Sequence, residues 1–347
     1  MFTRFNRVRG FYFILLWVLM GCNESPVNPP YAFNYSDGIM GTSFSIKAPH
    51  LPETIKADAL KIQIKAKLDA LNSQLSTYEK KSALSLFNQS DTTNWQTIPN
   101  ALLTVLIEAQ RISELSSGAF DISVGKLVNL WGFGVEPMRF TTPDETRLNQ
   151  ILTTTGYHYL SIDPMGLKIK KQVPELYLDL SAIAKGYAVD QIALLLESQG
   201  IQDYMVEIGG EIRLKGQNNT GGAWHIAIEK PTPEKRMIQK VIAITNSAMA
   251  TSGDYRNFFE SDGVRYSHTI DPRTGRPIKH QLASVTILSD SSMTADSLAT
   301  AMMVLGENEG YKLAEKHNIA ALFIIKTAEG FVEKSTSAFI EFFKEKS

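Results

Sequence analysis

The sequence has almost no cysteine and no long hydrophobic run. Cys22 is the only cysteine among the 347 residues, which excludes an intrachain disulfide framework and a thiolate metal cluster. The longest apolar run covers residues 11–20, about half of the ~20 residues that a membrane-spanning helix needs. The chain also lacks the G-x-G-x-x-G and G-x-x-x-x-G-K-[ST] patterns of nucleotide-binding loops.

An excess of charge of one sign is also missing. The 35 Lys and Arg residues nearly balance the 36 Asp and Glu residues, for a net charge of −1. The chain therefore offers no basic field for nucleic acid. With 44% hydrophobic residues and no internal repeat, it is neither disordered nor fibrous. The length admits one large globular domain or two modest ones.

The first 21 residues are typical of a targeting segment. Three arginines precede the apolar run, and the run is too short for a membrane span. It ends at Leu19-Met20-Gly21-Cys22, which resembles the lipobox of bacterial lipoproteins, where the cysteine is acylated and becomes the first residue of the mature chain. A plain signal peptide or a signal anchor, with a cysteine there by chance, is the alternative.

These features predict how the chain is organised. We expect a lipoprotein signal peptide over residues 1–21, acylation of Cys22, a short tether over residues 22–35 and one domain over residues 36–347. The predicted location is the periplasmic face of the bacterial inner membrane. The lipid would be the only attachment to the membrane.

Local patterns predict a mixed α and β fold. Apolar residues at helical spacing predict a helix through Ile64–Leu75, a second helix with Asn100 as its N-cap, and a third from about Ile183 to Gln199. Short β-type runs, some strictly alternating, predict strands at residues 205–208, 224–228, 241–245, 283–288 and 321–325. The predicted class is α+β (mixed α/β), with an antiparallel-rich sheet and flanking helices.

Four segments place glycine, hydroxyl and acidic residues in apolar surroundings. They lie at residues 40–42, 117–121 with 131–134, 179–187, and 250–256 with 268–275. Taken one at a time, each is explained as well by a turn and a helix cap, since Gly allows positive φ and Asp or Ser caps helices.

A fifth segment has the chemistry of a metal site. In a helix that starts near Thr294 and stops at Gly306, Asp296 and Thr300 lie on one face. Their oxygens suit a hard cation such as Mg²⁺, whose other ligands are often water and phosphate oxygens. On spacing alone, a dipole-stabilising Asp and a Thr bonded back to the helix are the simpler explanation.

Together and in this order, the five segments resemble the FAD:protein FMN transferases, exported bacterial lipoproteins that attach flavin to other proteins. The resemblance runs from about Met40 to Gly306 and also includes residues 75–78, 207–211 and 266–268. It implies a single FMN transferase domain with FAD, as substrate, in a central cleft and with Mg²⁺ as cofactor. It further implies acceptor proteins with a D-x-x-S/T-G-A-S/T motif, found in membrane respiratory or redox subunits.

The resemblance also implies a role for each matching residue. Asp296, Thr300 and the backbone carbonyl of Ala182 match the family's Mg²⁺ ligands, and His268 matches a histidine near the reacting phosphate. The positions that match the FAD pocket are Met40, Tyr78, Ala119, Phe120, Asp121, Asp179, Lys185 and Ile270.

Flavin transfer is chemically coherent with these residues. FMN would move from FAD to a Thr or Ser hydroxyl through a phosphoester, with release of AMP, and Mg²⁺ and Lys185 would neutralise charge. The hydroxyl also needs a base or an orienting group, for which His268 is the first candidate and Asp271 the second. An FAD pyrophosphatase that gives FMN and AMP, and a flavin-binding lipoprotein without catalysis, are the alternatives.

Overall fold

The computed structural model describes residues 31–135, 142–232, 237–254, 258–261 and 264–344. The predicted signal peptide, Cys22 and most of the predicted tether lie outside these ranges, as do Tyr255 and Arg256 of the fourth polar segment. Within the ranges, no helix combines the length and the apolar character that crossing a bilayer requires.

Helices and strands alternate along the described chain. The strands are β1 (Phe33–Ile39), β2 (Thr42–Ala48), β3 (Gln96–Thr97), β4 (Leu160–Asp163), β5 (Lys168–Lys171), β6 (Tyr204–Ile208), β7 (Glu211–Lys215), β8 (Trp224–Glu229), β9 (Ile238–Ile244), β10 (Ser247–Gly253), β11 (Phe258–Ser261), β12 (Val264–Ser267), β13 (Ile270–Asp271), β14 (Arg276–Pro277), β15 (Leu282–Ser289), β16 (Ala320–Thr327) and β17 (Gly330–Ser335). The helices are α1 (Ala57–Leu75), α2 (Ala83–Gln89), α3 (Asn100–Leu115), α4 (Gly125–Leu130), α5 (Glu145–Leu152), α6 (Ala184–Ser198), α7 (Ser292–Lys316) and α8 (Ser337–Lys344).

One eight-stranded sheet organises the domain, in the order β1-β2-β6-β7-β10-β15-β16-β17. Every neighbouring pair in it is antiparallel, which confirms the predicted antiparallel-rich α+β class. Smaller antiparallel units are β8–β9, β11–β12, β13–β14 and the three-stranded β3-β5-β4.

Two apolar cores lie on the two faces of this sheet. Successive side chains of a strand point to opposite faces. Accordingly Ala250 and Ile287 belong to the larger core, with α1, α3, α6 and α7. Met249 and Leu288 face the other way, toward a second core made with the β8–β9 hairpin and α8. A third cluster, which includes Trp131, joins α4 and α5 to β12 and β13.

Two predicted boundaries were wrong. Asn100 is the first residue of α3, and Pro99, in an extended conformation, holds the N-cap position. The cap must be extended, and the fixed φ of proline suits the approach to a helix. The tether cannot extend to residue 35, because residues Phe33–Tyr35 already pair with β2 and Phe33 is buried in the larger core.

Helix α7 contains a break where the sequence predicted an end. Gly306 has φ 77° and ψ −177°, outside the helical region, and the chain then resumes its helix as far as Lys316. Only glycine adopts such a φ without strain. A Cβ at this position would also lie 2.8 Å from the His280 ring. The imidazole Nε2 of His280 lies 2.8 Å from the carbonyl oxygen of Met303, in the last turn before the break.

Candidate functional site

A cavity of about 630 Å³ collects most of the residues that the sequence singled out. It opens between α6, α7, the β6–β7 turn, and the segments around residues 119–133 and 268–272. The predicted site residues on its wall are Tyr78, Ala119, Phe120, Asp121, Asp179, Ala182, Lys185, His268, Ile270, Asp296 and Thr300. These residues are spread over more than 200 positions of the chain, so the fold brings them together.

Four residues of the wall form what we call the charged cluster: Lys185, Glu211, Asp296 and Thr300. The Lys185 ammonium lies 3.2 Å from Glu211 Oε1 and 3.8 Å from Asp296 Oδ2. It also donates to the carbonyl of Ser181 at 3.2 Å. One cation is therefore shared between two carboxylates.

Burial governs the electrostatics of the charged cluster. It raises the pKa of Glu211 to about 8 and also raises the pKa of Asp296, against the opposing pull of the Lys185 ammonium. For Lys185, burial opposes the charge, but the carboxylates of Asp296 and Glu211 outweigh it and raise the pKa. Glu211 Oε2 is buried and has no hydrogen-bond partner among the residues that the structure describes. The cluster thus holds more buried carboxyl oxygen than the Lys185 ammonium alone can pair with, and a further cation would stabilise the ionised forms of Glu211 and Asp296.

A close helix contact positions Asp296. Helices α6 and α7 approach so closely at Gly186 that a Cβ there would lie 2.3 Å from the carbonyl oxygen of Ser292. The backbone N–H of Gly186 donates to Asp296 Oδ2 at 3.1 Å. This N–H, in the first turn of α6, is thereby satisfied by a side chain of α7.

Asp190 anchors the start of the same helix. Its two carboxylate oxygens accept from the backbone N–H groups of Ser292 and Met293, at 3.0 Å each, and from the Ser291 hydroxyl at 2.8 Å. Arg213 Nη1 lies 3.0 Å from the same carboxylate. A negative charge at a helix N-terminus is favourable, so Asp190 fixes the helix that carries Asp296 and Thr300.

The oxygen donors present fit a magnesium ion. Asp296 offers a carboxylate and Thr300 a hydroxyl, whose oxygen lies 3.3 Å from Ser252 Oγ. The N–H four residues after Ala182 bonds to Asp296 rather than to the Ala182 carbonyl. Hard oxygens of this kind are what Mg²⁺ takes, and it keeps the rest of its shell for water and phosphate. The described ranges hold no group of three or more His, Cys, Asp or Glu arranged for a metal.

The two predicted flavin-binding loops are tied to each other. Asp121 accepts from the backbone N–H groups of Ser123 and Tyr157 at 2.8 and 2.7 Å. Asp179 Oδ1 accepts from both the N–H and the hydroxyl of Ser181. The N–H of Asp179 in turn donates to the Ile122 carbonyl at 2.7 Å. Both carboxylates therefore shape the cavity wall through backbone bonds.

His268 belongs to a second group, the aromatic cluster of Trp131, Phe133, Phe259, Tyr266 and His268. Tyr266 stacks on Trp131 and Phe259, with ring centroids 5.5 and 5.0 Å apart. Phe133 lies 5.5 Å from Phe259 and meets the His268 ring edge-on at 6.3 Å. Trp131 Nε1 is anchored on the Gly275 carbonyl at 2.8 Å. The edge-on contact with Phe133 thus joins His268 to a group of packed rings at the cavity wall.

The structure separates the two predicted catalytic residues. Asp271 is not on the cavity wall, and its two carboxylate oxygens each accept from the Arg273 guanidinium at 2.9 Å. It shapes the turn before Gly275, so this placement does not support it as a base. Burial raises the pKa of Asp254, against the opposing effect of Arg265, His280 and His268, which are within electrostatic reach.

Met40 also differs from its predicted position. It lies in the β1–β2 turn with φ 49°, packs against the larger core and is not on the cavity wall. The sequence analysis assigned no role to Glu211, Ser252 or Asp190. The Glu-Ile-Gly-Gly-Glu stretch at residues 207–211 was the one available signal for Glu211. Asp190 looks like any other helix residue in the sequence.

The chain is similar to a known family over most of its length. The model described as "ApbE family" matches residues 40–323. A protein of Vibrio cholerae named FAD:protein FMN transferase is 48% identical over 327 residues, covering 94% of this chain and 96% of that protein. One of the same name from Haemophilus influenzae is 46% identical, with 86% and 88% covered.

Solved structures show the same similarity. The flavin transferase ApbE from Vibrio cholerae superimposes with a TM-score of 0.83 at 48% identity, covering 89% of this chain and 98% of that one. The apo flavinyl transferase ApbE of Pseudomonas stutzeri gives a TM-score of 0.82 at 38% identity, covering 89% and 96%.

Proposed function

The chain belongs to the ApbE family, and on that premise we propose that it is an FAD:protein FMN transferase that attaches FMN to a Thr or Ser hydroxyl of another protein. The observation that carries the proposal is the convergence of the charged cluster and His268 on one cavity. A phosphoryl-type transfer needs charge neutralisation and a positioned nucleophile, and these two groups supply one each.

The charged cluster is the proposed place of the diphosphate. Asp296, Thr300 and the Ala182 carbonyl would hold Mg²⁺, which when bound neutralises phosphate charge and orients the phosphoanhydride. Lys185, held at 3.2 Å from Glu211, presents a second positive charge to the same phosphates. Because its two carboxylate partners fix the ammonium before substrate arrives, little reorganisation is needed when charge develops.

The reaction balances without a further reactant. The acceptor hydroxyl oxygen forms a bond to the phosphorus of the FMN half, and the bond from that phosphorus to the bridging oxygen breaks. AMP leaves with the electron pair. The hydroxyl proton passes to His268 or is oriented by it, since an unassisted hydroxyl is a poor nucleophile at neutral pH. The products are the phosphoester-linked flavoprotein and AMP.

Mass spectrometry tests the reaction. The full chain is incubated with FAD, Mg²⁺ and a redox-protein domain that carries the D-x-x-S/T-G-A-S/T motif. The acceptor mass should rise by one FMN less a water, with an equal amount of AMP released. Free FMN and AMP with an unmodified acceptor would show a pyrophosphatase instead, and intact FAD would show a carrier without catalysis.

The same proposal places the enzyme on the periplasmic face of the inner membrane, held by a lipid on Cys22. Its support is the short apolar run that ends at Gly21-Cys22. A lipid tether raises the effective concentration of the enzyme near membrane-bound acceptors. Cys22→Ser should release the protein from the membrane fraction or leave it unprocessed. Normal processing and unchanged membrane retention of that variant would contradict the anchor.

A further inference from the structure

The edge of strand β8 forms part of the cavity wall. Three consecutive residues, Ala227, Ile228 and Glu229, line the cavity, whereas no described residue of the partner strand β9 does. Because successive side chains of a strand point to opposite faces, one face would contribute only alternate residues. Three consecutive lining residues of β8, with no described residue of β9 on the wall, indicate that β8 turns its backbone edge toward the cavity.

This edge has no strand beside it in the described part of the chain. β8 pairs with β9 and with no other strand there, and its inward residues Trp224, Ile226 and Ile228 pack on the main sheet. No described backbone group outside the β8–β9 ladder bonds to residues 225–228. In an antiparallel pair, alternate residues turn their N–H and C=O groups away from the partner strand. The edge therefore offers donors and acceptors directly beside the cavity.

The other sheet edges differ in chemistry. The outermost strands of the main sheet carry charges, Asp37 on β1, and Glu333 and Lys334 on β17, and charged side chains discourage pairing at an edge. The middle of β8, residues 225–228, reads His-Ile-Ala-Ile, without a Lys, an acid or a proline. An apolar edge of this kind is suited to accept a strand.

We propose that the β8 edge binds the acceptor protein as an added extended strand, which brings its Thr or Ser hydroxyl into the cavity. The inference rests on the proposed function, because a transferase needs a polypeptide hydroxyl at this cavity. A segment laid along residues 225–229 is continuous with the wall that carries Asp296 and His268. Backbone recognition tolerates varied side chains, which suits an enzyme whose acceptors share only a short motif.

Hydrogen exchange tests the edge directly. The full chain, with FMN in place of FAD so that no transfer occurs, is mixed with an acceptor domain already shown to gain FMN. Amides in residues 225–228 should exchange at least about fivefold more slowly, while the β17 edge, residues 332–335, should not change. Unprotected β8 amides at an acceptor concentration that supports transfer would overturn the edge proposal and leave the transferase standing.

Two further outcomes would point to a different explanation from binding of the acceptor at the β8 edge. Protection of β8 that needs no acceptor and grows with enzyme concentration would mean that a second copy of the chain occupies the edge, which overturns the proposal. Failure of every acceptor to gain FMN would instead refute the proposed function, and that readout comes from the mass of the acceptor alone.

A substitution gives a kinetic test. Ala227→Pro removes one N–H and distorts the edge, so the KM for the acceptor should rise about tenfold relative to the KM for FAD. Val332→Pro, on the β17 edge and away from the cavity wall, is the matched control and should leave that ratio unchanged. If Ala227→Pro does not fold, acceptor peptides methylated at single amides replace it. Methylation should then inhibit at alternate positions, and equal inhibition at all positions would count against strand addition.

Discussion

The charged cluster and the aromatic cluster meet at one cavity but are held in different ways. The charged cluster lies on α6, α7 and β7 of the main body, with ion pairs of 3.2 and 3.8 Å around Lys185. The aromatic cluster lies on the loop after α4, on β11 and β12, and on the short segment after β12 that carries His268. Its ring centroids are 5.0 to 6.3 Å apart. Buried charges need fixed partners, whereas stacked rings keep most of their contact energy after small shifts.

The difference indicates that the two clusters should respond differently to substitution. The charged cluster, which under the proposed function compensates phosphate charge, lies on α6, α7 and β7. A change of one charged atom there alters the balance of the whole group. The cluster that presents His268 spreads its stabilisation over several rings, so loss of one ring should be tolerated better. Activity should therefore be more sensitive to substitution in the charged cluster than in the aromatic cluster.

The largest effect is expected from Asp296→Ala. Removal of this carboxylate takes away the proposed metal ligand and one of the two carboxylate partners of Lys185, so AMP release from FAD should fall at least about 100-fold. Chromatography of AMP across a series of Mg²⁺ concentrations measures it, and circular dichroism checks the fold. Glu309→Ala, on the exposed side of α7 beyond Gly306, is the control. Full activity of Asp296→Ala at limiting Mg²⁺ would remove this residue from the site.

His268→Ala should come next. The transfer rate should fall by about 100-fold while the dissociation constant of FAD changes less than about twofold, because a group that moves or orients the hydroxyl proton acts only as the bond forms. Rapid-quench assays and flavin fluorescence measure the two quantities. His317→Ala, at the exposed end of α7, is the control. Equal losses in binding and rate would make His268 a binding residue instead.

Asp190→Asn should have a moderate effect on the charged cluster without touching the cavity. The variant keeps the shape but loses the charge that anchors α7, so the Mg²⁺ concentration for half-maximal activity should rise about tenfold. Titration of Mg²⁺ at saturating FAD measures the shift, and Asp58→Asn in the exposed first turn of α1 is the control. A loss of stability with an unchanged Mg²⁺ requirement would reduce Asp190 to a purely structural role.

The smallest effect on activity is expected from Tyr266→Leu. Loss of two stacked contacts should lower the free energy of unfolding by about 1–2 kcal/mol and slow transfer by less than about tenfold. Tyr311→Leu is a matched control, since Tyr311 packs edge-on against Phe323 in the larger core and is not on the cavity wall. The control should lose stability but not rate. A rate loss for Tyr266→Leu as large as for Asp296→Ala would remove the distinction between the two clusters.

Local patterns predicted the helices and strands well, because the spacing of apolar residues in one helix or strand shows which of its faces is buried. The alternation in Trp224–Ile228 matches β8 to within one residue. The stripe of Ile64–Leu75 lies in α1, which ends at Leu75 as predicted but already begins at Ala57. The family resemblance placed Asp296 and Thr300 at one cavity, which their spacing alone did not favour. Gly306 indicated the end of a helix, but no pattern in the sequence indicated that the helix resumes after this glycine.

The parts that sequence analysis missed depend on contacts between distant positions. Asp190 bonds residues about a hundred positions away, and no local pattern marks it as an anchor. Glu211 gains its significance from burial beside Lys185 and Asp296. The ion pair of Asp271 with Arg273 is likewise not evident from the Asp-Pro-Arg sequence, so the sequence alone could not show that Asp271 lies off the cavity wall.

The break at Gly306 divides α7 into two halves, and the first half has supports of its own at both ends. That half is closed at its start by Asp190 and Ser291 and, near its end, by His280 on the Met303 carbonyl. Gly306 departs from helical φ and ψ between the two halves. We therefore expect that fraying of residues 307–316 leaves the turns that carry Asp296 and Thr300 in place. Hydrogen exchange that is faster beyond Gly306 than before it would show this directly.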